Sequence, residues 1–107
     1  MSEKKYNFNG CPITRTAEVI GGKWSLPIIF SLIRETKRFK ELERAIEGIN
    51  TRMLVKELKQ LEENGIVSRK VYAEVPPKVE YSLTEKGKAL KKVLIEMKDW
   101  GDQYIKA

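Results

Sequence analysis

The sequence contains no histidine and a single cysteine, Cys11. Those shortages remove the usual zinc ligand sets and any disulfide framework within one chain, since both need several such side chains. Neither a metal nor a cofactor is expected. Without histidine the commonest general base at neutral pH is missing, and no other pair of nucleophile and base announces itself. An enzyme is therefore the weakest reading. Long hydrophobic runs are lacking too: the longest, Leu26 to Ile33, is far too short to span a bilayer, and Met1 to Gly10 has no apolar signal segment. The expectation is a cytoplasmic protein without a membrane partner.

What is present is a chain of 107 residues, 41% hydrophobic, which suits one domain over residues 1–107 with one core. Lys and Arg number 21 against 15 Asp and Glu, a net charge of +6 that draws polyanions by long-range attraction. Double-stranded DNA leads among these partners; an anionic membrane or plain solubility are the other uses of such charge. The carboxylates of Glu41, Glu43, Glu57, Glu62 and Glu63 lie among lysines. They read as solvated helix faces with i, i+4 partners such as Lys59 with Glu63.

Pro12 suits a first helical turn, and Ile13, Ala17 and Ile20 continue at helical spacing until Gly21 and Gly22, which are expected to end the helix with positive φ. Trp24, Ile28, Ile29, Leu32 and Ile33 form a stripe on a second helix, which must start near Ser25 so that Pro27 falls in its first turn. After the basic segment Arg34 to Arg38, residues Phe39, Leu42, Ala45 and Ile46 give a short third helix closed by Glu47 and Gly48. Asn50 is an N-cap for a fourth helix with a buried face of Met53, Leu54, Leu58 and Leu61, ended by Asn64 and Gly65. Helices three and four match a helix-turn-helix, although an ordinary αα-hairpin has the same pattern.

The following segment separates the two. Ile66 to Tyr72 is rich in β-formers, Pro76 and Pro77 mark a loop, and Val79, Tyr81 and Leu83 alternate with Glu80 and Ser82. A basic β-hairpin directly after the second helix makes a winged helix. Thr84 then caps a long last helix with a stripe of Leu90, Val93, Leu94, Met97, Trp100 and Tyr104. The fold class is mainly α with a small β-hairpin: a winged helix-turn-helix with dimerisation helices at both ends.

On the fourth helix Thr51, Arg52 and Val55 are candidates for base edges, and Lys56 and Lys59 for phosphates. Arg38, Lys40 and Asn50 stand where phosphates cross helix starts, and Arg69, Lys70 and Lys78 sit on the hairpin. A plain solvated face is the competing account. The apolar residues Ile13, Val93, Met97, Trp100 and Tyr104 are assigned to a twofold interface of a homodimer, with core packing in one chain as the alternative. Cys11, at a helix start with Arg15 one turn on, favours the thiolate; a small buried hydrophobe is its bland reading. A winged-helix module that binds another protein without reading DNA is the second function class.

The segments CPITRTAEVIGGKWSLPIIFSL, RFKEL, GINTRMLVKELKQLEENGIVSR, VYAEVPPKVEYSLTEKGKAL and the final DWG occur in an order that resembles the HxlR family of bacterial winged-helix regulators. The resemblance runs from Cys11 to Gly101, with Pro27 departing from the aliphatic residue expected there. It implies a homodimer on pseudo-palindromic DNA, like the wider multiple-antibiotic-resistance group; a repressor is the expected function, with activation as the alternative. It also implies that Cys11 senses a small-molecule oxidant or electrophile, a role that some members have.

Overall fold

Apolar residues at three- and four-residue spacing and two runs of β-formers give six helices and a three-stranded sheet over residues 7–105, the part described by this computed structural model. Residues 1–6 of the polar lead-in, and residues 106–107, lie outside the described part. A single 3₁₀ turn, Phe8–Gly10, precedes α1 (Pro12–Ile20), whose first residue is the expected proline. The helix stops at Gly21, but not by positive φ, because Gly21 sits at φ −85°. Its glycine is needed for space: a Cβ there would lie 2.3 Å from the carbonyl oxygen of Ala17.

Helix α2 (Ser25–Ile33) carries Pro27 as its third residue. The missing N–H thus falls among the first four donors, which have no partner within the helix. The basic segment that follows holds an element not foreseen: Lys37–Arg38 form a short strand, β1, that leads into α3 (Phe39–Ala45). Helix α4 (Thr51–Glu63) follows a turn in which Gly48 adopts φ +89°. A Cβ on Gly48 would also meet the Trp24 ring at 3.4 Å, so the IGGKW corner underlies the turn of the helix-turn-helix.

Strands β2 (Val67–Tyr72) and β3 (Lys78–Leu83) pair antiparallel, Val67 with Leu83 through Tyr72 with Lys78. Strand β1 pairs with the other edge of β3, making a three-stranded sheet of order β1-β3-β2 where a two-stranded hairpin was expected. Thr84 caps as anticipated, accepting from the Gly87 N–H at 3.1 Å, but the last helix comes in two pieces, α5 (Glu85–Lys88) and α6 (Lys91–Tyr104). Between them the backbone tightens, with the Leu90 N–H donating to the Gly87 carbonyl at 3.0 Å.

Ile28, Ile29, Leu42, Leu54, Leu58 and Leu61 are wholly buried, so α2, α3 and α4 meet in one cluster. Ile66, Val67, Tyr81 and Leu83 close it from the sheet and Leu94 from α6. Helix α4 is thereby fixed along its inner face, and only its outer face is free to meet another molecule.

Candidate nucleic-acid interface

Burial of Leu54, Leu58 and Leu61 turns Thr51, Arg52, Val55, Lys56 and Lys59 outward, all exposed. Val55 is 53% exposed in the middle of this basic face, which gives the face an apolar contact point. Asn50 caps the helix, its Oδ1 accepting from the Met53 N–H at 2.9 Å. That oxygen is occupied, so Asn50 offers a phosphate only its amide N–H groups. The Thr51 hydroxyl donates to the carboxylate of Glu43, which also lies 3.8 Å from Lys40 Nζ. Thr51 is therefore held against α3 and presents its methyl group as the unengaged part.

Three of the carboxylates read as plain solvated faces have such defined partners. Glu43 holds Thr51, Glu41 accepts from the Arg38 N–H at 2.8 Å, and half-buried Glu57 accepts from the buried Ser25 hydroxyl at 3.3 Å. The expected Lys59 to Glu63 pair is not among the ion pairs of the described residues.

The sheet register sorts the basic residues of the wing, because successive side chains alternate between faces. Lys70 lies opposite Glu80, Tyr72 opposite Lys78 and Arg38 opposite Glu80, all on one face. Arg69 lies opposite Tyr81, on the other face, so it does not join Lys70 and Lys78. Lys70 and Lys78 place their ammonium groups 4.8 and 5.1 Å from the centre of the Tyr72 ring, within cation–π reach. Lys78 Nζ is also 3.4 Å from Glu80. The Tyr72 hydroxyl, then the charges of Lys78 and Arg38, hold the Glu80 carboxyl below its usual range. Beside this cluster Arg38, Lys40, Arg44 and Lys78 border a groove floored by Phe39, Pro77 and Val79. Arg44 escaped the sequence reading, although it stands one turn after Lys40 on an exposed helix face.

Cys11 is the half-buried N-cap of α1. The backbone N–H groups of Thr14 and Ile13, with a lesser contribution from the Thr14 hydroxyl, bring its pKa below the ordinary thiol value. Arg15, expected to favour the thiolate, is not among the groups that lower it; its N–H donates to the Cys11 carbonyl at 2.9 Å as an ordinary bond of the first helical turn. Nearby, Ile13 is 80% exposed, and Val93, Met97, Trp100 and Tyr104 are exposed along α6, with Trp100 and Tyr104 ring centres 5.4 Å apart. These five residues lie outside the buried cluster of the chain. An apolar groove lined by Pro12, Ile13, Ala17, Ile20 and Val93 joins the two helices. Among the described residues no helix is long and apolar enough to cross a membrane, and no cluster of three or more potential metal ligands occurs.

The HxlR-like helix-turn-helix family profile matches residues 19–107. The chain belongs to this family. It is 50% identical over 105 residues to the HTH-type transcriptional regulator YybR of Bacillus subtilis, covering 95% of this chain and 84% of that one. Among solved structures, a MarR-family transcriptional regulator from Porphyromonas gingivalis superposes with a TM-score of 0.88 at 40% identity, covering 95% of this chain and 100% of its own. The redox regulator HypR in its oxidised form superposes with a TM-score of 0.84 at 46% identity, covering 91% and 100%. In this HxlR-type fold α3 and α4 form the helix-turn-helix, and β2 and β3 form its wing.

Proposed function

We propose that the protein is a sequence-specific DNA-binding transcriptional repressor that works in the cytoplasm as a homodimer on a pseudo-palindromic operator. The observation that carries this reading is the outer face of α4. Its first turns leave Thr51, Arg52 and Val55 exposed beside a basic wing, the geometry that inserts a recognition helix into the major groove. Arg52 makes a bidentate contact to guanine O6 and N7, and Val55 packs on a thymine methyl. Lys56, Lys59, Arg38, Lys40, Asn50, Lys70 and Lys78 meet phosphates and set position along the duplex, while Arg69, on the other face of the sheet, does not join them. Ile13, Val93, Met97, Trp100 and Tyr104 meet their copies in the partner, so that the two α4 helices lie roughly one helical turn of DNA apart, about 34 to 36 Å.

Cys11 supplies the input. Its thiolate either adds to an electrophilic carbon of a quinone or aldehyde, or forms a disulfide with a thiol of another molecule while an oxidant takes up the two electrons. Similarity to the redox regulator HypR supports this assignment.

Selection from a randomised duplex pool, followed by mobility shift, tests the reading. A palindromic sequence should emerge, and Arg52→Ala should cost about 1 to 3 kcal/mol at one base pair of each half-site while leaving binding to scrambled DNA nearly unchanged. Enrichment of no sequence, with Lys56→Glu leaving cellular function intact, would favour a protein-binding module instead.

A further inference from the structure

Glu80 is the one carboxylate in the cluster of wing residues on the outer face of the sheet. Arg38 of β1 and Lys70 of β2 are its direct cross-strand neighbours, on opposite sides of β3. Lys78 reaches it at 3.4 Å, and Lys70 and Lys78 share the ring of Tyr72. The carboxylate is only half-exposed, so its charge acts on its neighbours with less screening than a free surface glutamate.

We propose that Glu80 is a specificity-determining residue: it ties the cations of the wing into one arrangement over Tyr72 and withholds them from DNA of arbitrary sequence. This rests on the DNA-binding reading above. Binding to random DNA is almost wholly a matter of cations meeting phosphates, and it grows with each ammonium free to find one. A lysine tethered to Glu80 and Tyr72 meets a phosphate only where the backbone passes its fixed position, as it does when α4 is seated in the correct register. Without the tether the lysine adapts to any register. Random binding then gains a contact, whereas operator binding gains charge but loses preorganisation.

The test compares wild type, Glu80→Gln, Lys78→Gln and the double variant on two duplexes of equal length and composition, one recovered by selection and one scrambled, over a range of salt. Glu80→Gln should tighten binding to the scrambled duplex by about three- to tenfold at low salt and steepen its log–log salt dependence by about 0.9 for each wing engaged. Affinity for the selected duplex should stay within about twofold, so the specificity ratio falls. Lys78→Gln added to Glu80→Gln should return the salt slope to the wild-type value, a reversal that a purely structural role would not produce. Unchanged salt slope and scrambled-duplex affinity in Glu80→Gln overturns the proposal. Equal tightening on both duplexes overturns it too, as does a variant too unstable to fold. Wild type that binds neither duplex defeats the DNA-binding reading itself.

Discussion

Under the function proposed above, three side chains set the chemistry of the reading face and its input: Arg52, Lys56 and Cys11. Arg52 and Lys56 sit on the same exposed side of α4, yet they should separate cleanly in solution. Arg52→Ala should relax preference at one base pair, whereas Lys56→Ala should weaken every duplex alike and reduce the salt slope by about one per half-site. A Lys56→Ala variant that alters sequence preference in a selection experiment would reverse those roles. Cys11 makes a prediction of its own. N–H groups of Thr14 and Ile13 favour the charged sulfur, so the pKa lies below the ordinary thiol value and the thiolate fraction rises at lower pH than in a free thiol. The rate of alkylation by iodoacetamide, followed against pH, should reach its midpoint at lower pH in the folded protein than in the urea-unfolded chain. A midpoint at or above that of the unfolded chain would leave Cys11 a structural residue. Cys11→Ser should bind operator as wild type does and no longer release it on treatment with quinone, aldehyde or peroxide.

At the scale of elements, most of the fold was legible because its signals are local and strong. Asn50 before a 13-residue amphipathic helix, Pro12 opening α1 and Thr84 opening α5 each fix a helix start by satisfying or omitting an end donor. Asn50→Ala should lower stability by about 1 kcal/mol, read as a shift in urea midpoint at constant slope. Loss of operator affinity beyond that shift would mean that the N-terminal turn of α4 must be rigid to be read. What escaped the sequence depends on distant partners. Lys37–Arg38 are two residues with no periodicity, and only β3 makes them a strand. The division between α5 and α6 carries no proline, and Gly87 is pressed so close to the residue before β2 that a Cβ would clash with the Ile66 carbonyl oxygen. Glu43 and Glu57 looked like ordinary surface carboxylates for the same reason: the Thr51 and Ser25 hydroxyls that engage them arrive from other elements.

For the whole molecule the decisive quantity is the apolar surface left on α1 and α6. Trp100 and Tyr104 are 58% and 64% exposed, and with the exposed Ile13 and Met97 they concentrate large apolar side chains on these two helices, as an interaction surface does. In the proposed dimer, burial between two copies would remove that surface and link the two α4 helices, so that the second half-site would be engaged within one complex. Linkage of this kind strengthens binding by about a hundredfold or more over a single half-site contact. Trp100→Glu places a charge in the proposed seam without touching the buried cluster around Leu54 and Leu58. Sedimentation velocity should then show wild type at twice the 12.4 kDa chain mass and the variant at the chain mass. The variant should keep its helical circular dichroism and lose operator affinity by about two orders of magnitude, while retaining its weak salt-sensitive attraction for scrambled DNA. A variant that stays dimeric would move the seam to another face. One that turns monomeric yet keeps full operator affinity would mean that each chain reads DNA alone, and the palindrome expected from twofold symmetry would have no cause.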